Sequence, residues 1–235
     1  MGNEVVLITG ANRGIGLELA KQYLKSGCEV IATCRDKRLA AELISLNNQF
    51  FEQLHIESLD IASHKQIEEL AIKLNKQDIK IDLIVNNAGY LDRENQSIHD
   101  INYAHAEMSL KVNSLGPLYL THCFLPLMNQ QKLSKIAIVS SDMGSLSMDQ
   151  SVAWYGYRMS KAAANMLAVN LSGELVDNNI AVVAIHPGWV KTDMGGFTAN
   201  EEVEDSALGI KQVIEKLSLD KSGEFYDFKG EELPF

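Results

Sequence analysis

Nothing in the 235 residues is apolar for long enough to cross a bilayer, and the opening residues lack the charged, then apolar, then small-residue order of a secretion signal. Cysteine is scarce. Cys28, Cys34 and Cys123 are odd in number and lie in apolar or helical settings, which suits reduced core thiols rather than a disulfide framework. Together these shortages predict a cytoplasmic protein. Positive charge is short as well: 21 Lys and Arg stand against 31 Asp and Glu, a formal net charge of -10. That balance argues against nucleic acid or an anionic membrane surface as partner. It leaves room for a small anion, which needs only local positive charge. His55, His64, His99, His105 and His122 have no Cys or carboxylate partners at ligand spacing, so no metal site is expected. Internal repeats, low-complexity tracts and linkers are also missing.

What is present is a large apolar content, 46%, in a chain whose length suits one domain spanning residues 1–235. Short apolar runs alternate with longer amphipathic stretches. Runs 5–9, 30–34, 81–86, 136–140 and 180–185 read as buried strands, and 50–56 as a weaker one interrupted by Glu52 and His55. Between them, 15–25, 40–46, 65–74, 104–128 and 155–176 read as helices, with Ser63 and Gln66 resembling a capping box. This alternation predicts an α/β fold: a Rossmann-type doubly wound parallel sheet of about seven strands, with helices on both faces and right-handed crossovers. Segment 195–204 is polar and glycine-containing, the least regular stretch, and reads as a mobile flap over a site. Its acidic neighbours Glu201, Glu202, Glu204 and Asp205 read as the solvated start of a helix.

Gly10, Gly14 and Gly16 follow the first strand and open the first helix. Glycine lets the backbone turn tightly and approach a pyrophosphate, while the free amides of a helix N-terminus point toward the anion. The spacing, Gly-x-x-x-Gly-x-Gly, differs from the Gly-x-Gly-x-x-Gly of the usual dinucleotide fingerprint. At the tip of the second strand an acidic residue would suit the ribose hydroxyls of NAD, whereas arginine suits a 2′-phosphate. Arg35 occupies that place and Arg13 sits in the glycine loop, so NADP(H) is expected over NAD(H).

Tyr157 and Lys161 are four apart in a helical stretch and so share a face. A lysine cation beside the phenol is expected to favour the phenolate and lower a pKa normally near 10, making the tyrosine a usable acid and base. Tyr155 has Met159 four residues on and lacks that partner.

Taken together, Thr9 to Gly16, Asn86-Asn87-Ala88-Gly89, Lys111-Val112-Asn113, Ser140-Ser141, Tyr157 with Lys161, and Pro187 to Thr192 resemble the short-chain dehydrogenase/reductase family over essentially the whole chain. The run His186 to Met194 and the residues from Gly223 to Phe235 resemble its C-factor and sniffer-like carbonyl reductases. The resemblance implies a catalytic set of Asn113, Ser141, Tyr157 and Lys161. Tyr157 would exchange a proton with the substrate oxygen, Ser141 would orient that oxygen, and Lys161 would hold the nicotinamide ribose. Asn113 would anchor a water leading to Lys161, with Gly116 and Pro117 distorting the helix there. Ser140 is the alternative serine. It also implies cofactor contacts from Gly10, Asn12, Arg13, Gly14, Ile15, Gly16, Arg35, Asp60, Ile61, Asn87, Ala88, Gly89, Tyr157, Lys161, Pro187, Gly188, Val190 and Thr192. Asp60 reads equally well as a turn cap.

The expected function is therefore NADPH-dependent reduction of a small carbonyl compound, or oxidation of the alcohol, by a homodimer or homotetramer. Two alternatives stand beside it: a dinucleotide-binding regulator without turnover, and a reductase of carrier-bound 3-oxoacyl chains. The complete catalytic set speaks against the first, and the overall acidity makes an acidic carrier protein a poorer fit for the second.

Overall fold

The structure, a computed structural model, describes residues 4–94, 97–148 and 153–235. Seven strands form one parallel sheet: β1 Val5–Thr9, β2 Glu29–Cys34, β3 Leu54–Ser58, β4 Leu83–Asn86, β5 Ser134–Val139, β6 Ile180–His186 and β7 Phe225–Asp227. Their spatial order is β3-β2-β1-β4-β5-β6-β7. Strands buried on both sides carry apolar residues at successive positions rather than alternate ones, and β1 (VVLIT) and β6 (IAVVAIH) read this way. Val6 and Ile8 of β1 enter one apolar cluster, with Leu17 and Ile210. Leu7 enters the other, with Ile67, Leu120 and Ala164.

Those clusters identify the layers. Helices α1 Gly14–Lys25 and α2 Ala41–Asn47 cover one face, together with α7 Val203–Lys216. Helices α3 His64–Lys76, α5 Gly116–Phe124 and α6 Tyr155–Leu175 cover the other. Helix α4 Tyr103–Leu110 packs on α6. The strand order reverses between β1 and β4, and the crevice at the carboxyl ends of those two strands is where open α/β sheets bind ligands.

Three expected elements differ. The weak strand at 50–56 is displaced to Leu54–Ser58, because Phe50 closes a turn whose carbonyl accepts from the Gln53 and Leu54 amides. The long helix at 104–128 is broken into α4, a π-helical turn Lys111–Leu115, α5 and a short 3-10 turn Leu125–Leu127. Pro117 and Pro126 each remove an amide from the ladder, and the breaks fall beside them. The stretch at 195–204, expected as a mobile flap, is bonded to the loop before it in this structure. Val190 bridges Glu201, the Gly195 and Gly196 amides donate to Thr192, and the Trp189 indole donates to the Gly195 carbonyl at 2.8 Å. Helix α7 then starts at Val203 with Glu204 and Asp205 in its first turn, where acidic side chains suit the helix dipole.

Candidate active site

The glycine turn joins β1 to α1 at the switch point. Gly10 and Gly14 sit at φ +66° and +54°, left-handed values that a side chain disfavours. Gly16 is required by proximity instead: a Cβ there would lie 2.4 Å from Asn87 Nδ2 and 2.5 Å from the Gly10 carbonyl. Asn87 Nδ2 donates to the Thr9 and Gly10 carbonyls at 2.9 and 3.2 Å. Thr9 Oγ1 in turn accepts from the Asn87 and Ala88 amides, both at 3.0 Å. The turn after β1 and the turn after β4 are therefore one hydrogen-bonded unit. Helix α1 begins here with no side-chain cap and no acidic residue in its first turn, so its leading amides are left for an anion. Both amide atoms of Asn86, buried at the end of β4, also lack protein partners. A backbone-lined cradle with free amides fits a dinucleotide pyrophosphate.

Around that cradle the remaining expected contacts are distributed unevenly. Arg13 reaches across to Asp193, with Nη1 to Oδ2 at 2.6 Å, and Thr192 Cγ2 lies against Gly14. Arg35 is exposed just beyond β2 and makes no ion pair among the described residues. Its neighbour Asp36 is committed elsewhere. The carboxylate caps the turn Lys37–Leu39 and takes both Nε and Nη2 of Arg38, which hold its pKa down to about 2. Asp60 closes its own turn, accepting from the Ala62 amide at 3.0 Å. The Ile61 side chain is core, and both its Cγ1 and its carbonyl lie against Gly116. Asn12 and Ile15 are half-buried within the glycine turn, and Ile15 packs against the core beneath it. Gly188, at φ +82°, has Phe228 where a Cβ would stand, and Val190 is buried beneath the following loop. Pro187 is anchored through its carbonyl by the Ser206 hydroxyl at 2.6 Å.

The four expected catalytic residues converge beyond β5 and along the inner face of α6. Tyr157 and Lys161 do share a face, with Lys161 Nζ 5.6 Å from the centre of the Tyr157 ring. The ammonium sits over the ring rather than at the phenol oxygen, and it donates to the Val139 carbonyl at 2.8 Å. This overturns the expected lowering of the phenol. Burial pushes Tyr157 up to about 12; the Ser141 hydroxyl that bonds it pulls down and the nearby Asp142 carboxylate pushes up. Burial also lowers Lys161, to about 8. Ser141 Oγ donates to Asp142 Oδ1 at 3.0 Å and accepts from the Met143 amide at 3.2 Å. Ser140 is excluded by its own bonds: it is buried and donates to Asn165 Oδ1 and the Lys161 carbonyl.

Asn113 lies in the π-helical turn. Its Oδ1 accepts from the Tyr90 amide at 2.7 Å, and its Nδ2 donates to the Tyr90 carbonyl at 2.8 Å and to Ser160 Oγ at 2.9 Å. The side chain is thus used in holding the Gly89-Tyr90 segment against α6. Its backbone carbonyl is different: in a regular helix it would take the amide of the residue four on, and that residue is Pro117.

A family model described as short chain dehydrogenase matches residues 4–203. The chain belongs to the short-chain dehydrogenase family. It is 40% identical over 155 residues to the C-signal protein of Myxococcus xanthus, covering 66% of this chain and 93% of that one. In fold it is similar to the carbonyl reductase Sniffer of D. melanogaster, at TM-score 0.93 and 30% identity with both chains fully covered. An NADPH-bound carbonyl reductase from chicken fatty liver matches at TM-score 0.91 and 31% identity, again over all of both chains.

As a short-chain dehydrogenase the chain has two further residues at the site that its motifs did not single out as functional. Asn86 stood in the quoted Asn-Asn-Ala-Gly stretch, yet only its orphaned amide marks it out. Asp142 follows Ser141 directly, but only the fold shows its carboxylate touching the serine and backed by His186.

Proposed function

We propose that this short-chain dehydrogenase is an NADPH-dependent carbonyl reductase, acting on a small carbonyl compound or, in reverse, its alcohol. The observation that carries the reading is the meeting of Tyr157, Ser141, Lys161 and Asn113 next to an uncapped glycine-rich helix start at the switch point of the sheet. A bound nicotinamide cofactor supplies or takes the hydride. Tyr157, held protonated by burial, would give its phenolic proton to the carbonyl oxygen during reduction. Ser141 Oγ turns its hydrogen toward the same oxygen and stabilises the charge that develops there. Lys161, lowered by burial, can release or accept a proton nearer neutral pH than a free lysine. By resemblance, Asn113 would anchor a water leading toward Lys161, from the π-helical turn that Gly116 and Pro117 follow.

Phosphate selection follows from local charge. Arg35 is free to meet a 2′-phosphate, whereas Asp36, the nearest carboxylate able to hold ribose hydroxyls, is tied to Arg38. The reading extends to one catalytic unit over residues 1–235 and to a cytoplasmic homodimer or homotetramer. Exposed Tyr103 and Met108 on α4 and Met159, Met166 and Val169 on α6 support an assembly face there.

Oxidation of NADPH and of NADH against a panel of aldehydes, ketones, diketones and quinones tests the proposal. Tyr157→Phe is expected to lower turnover about 100- to 10,000-fold, the usual worth of a general acid, with NADPH affinity unchanged. Tight NADPH binding with no turnover on any carbonyl would favour the regulatory alternative.

A further inference from the structure

Asp142 is held at one oxygen and free at the other. Its Oδ1 accepts from Ser141 Oγ at 3.0 Å and from the Met143 amide at 2.8 Å. The Asp142 amide donates to His186 Nδ1 at 3.1 Å, and that nitrogen lies 3.6 Å from Oδ1. Nδ1 can accept only if it carries no proton, and burial favours that neutral ring. Turn, serine and histidine together fix where the carboxylate points. Oδ2, by contrast, makes no hydrogen bond among the described residues, and the side chain is 39% exposed.

The place matters because Ser141, which Asp142 touches, is also the hydroxyl that pulls the Tyr157 phenol down. A substrate whose carbonyl oxygen meets Ser141 would lie beside Asp142, the next residue, with Oδ2 the oxygen left to meet it. A carboxylate oxygen only accepts hydrogen bonds. It attracts a hydroxyl or an ammonium and repels another carboxylate. Near Asn113, the Met194 methyl group lies against Gly89.

We propose that Asp142 is a specificity-determining residue that selects carbonyl substrates bearing a hydroxyl or ammonium on the carbon next to the carbonyl, and disfavours 2-oxo acids. This inference rests on the carbonyl reductase reading of the same site. It adds the class of substrate, which neither the catalytic set nor the cofactor cradle specifies. A donor bonded to a charged acceptor is discriminated more strongly than one bonded to a neutral group, because the unmatched substrate leaves the carboxylate desolvated without a partner.

The test compares acetophenone, its α-hydroxy derivative and phenylglyoxylate, which share one ring and differ beside the carbonyl. Wild type is expected to prefer the α-hydroxy ketone and to turn over phenylglyoxylate worst. In Asp142→Ala the kcat/KM ratio of the α-hydroxy ketone to acetophenone should fall about tenfold, and the phenylglyoxylate value should rise. Taking the ratio cancels the different intrinsic reactivities. Asp142→Asn keeps an acceptor oxygen and should lose less of the ratio than the alanine variant. NADPH affinity, followed by fluorescence, should stay within about twofold in both. A ratio unchanged in Asp142→Ala would overturn the proposal, and so would an equal loss on all three substrates, which would make Asp142 only a support for Ser141. Wild type that binds NADPH but reduces no carbonyl would instead remove the carbonyl reductase reading, and this inference with it.

Discussion

At the residue scale, the site combines a phenol made more basic by burial with an ammonium made less so. Desolvation acts on both in the direction of the neutral form. Lys161 falls from 10.5 to about 8, so the folded state disfavours its proton below pH 8 and is indifferent to it above 10.5. The stability this group contributes is present at high pH and lost as pH falls through 8. Lys161→Met should therefore abolish turnover yet stabilise the fold at pH 7, by about 1–3 kcal/mol, since one pKa unit is worth about 1.4 kcal/mol. Thermal unfolding across pH 7 to about pH 11 checks this. The gain should shrink as pH rises, and a gain independent of pH would assign it to packing instead. Spacing alone is a weak sign for Tyr157 and Lys161, which gained meaning only beside the glycine turn and the Asn-Asn-Ala-Gly stretch, and the sign of the phenol shift was not legible. Spacing puts the two side chains on one face; whether the ammonium reaches the oxygen or spends itself on the Val139 carbonyl depends on the strand behind it.

At the scale of elements, the π-helical turn Lys111–Leu115 carries Asn113, the helix residue proposed to serve the site. Pro117 cannot donate to Asn113, and its ring crowds that carbonyl in a regular helix. Restoring the amide with Pro117→Ala should let the ladder continue from α4 to α5. The expected outcome is a change in stability within about 1 kcal/mol, because the regained bond is offset by a freer unfolded chain, with turnover reduced about tenfold. Denaturant unfolding and kcat measured on the same preparation decide it. Turnover equal to wild type would show that the carbonyl has no part in the reaction. Glycine and proline made this irregularity visible at 116 and 117. The displacement of the third strand was not visible, because Phe50 and Phe51 look like strand residues until the turn at Phe50 uses their backbone.

For the whole molecule, an acidic chain that is proposed to hold an anion needs local positive charge; Arg35 is exposed beyond β2, whereas Arg13 is paired with Asp193. Ligands that bind only the folded state stabilise it by mass action, about 2.7 kcal/mol at a hundred times Kd. NADPH and NADH at one concentration should thus raise Tm unequally, NADPH by about 5 °C or more in a chain this size and NADH by less. Combining Arg13→Ala with Arg35→Ala should bring the two shifts together, mainly by lowering that of NADPH. Differential scanning fluorimetry provides the comparison, and a difference surviving in the double variant would move phosphate selection elsewhere. High salt should weaken the NADPH shift more, since exposed charges are screened.

The sequence by itself determined the layer architecture and the glycine turn, and it named four side chains, though not Asn86 or Asp142, that the fold brings together. Those depend on the period of apolar residues and on local backbone demands, such as a left-handed Gly10 or an amide-less Pro117, which a linear chain displays. Tertiary structure decided what the neighbours of those residues are. It brought His186 of β6 behind Asp142 and tied Ser140 to Asn165. It also pinned the segment after Val190 through Arg13 and Trp189, and set Lys161 against β5. These are contacts between residues far apart in the chain, and their energies come from burial and from partners that no spacing rule encodes.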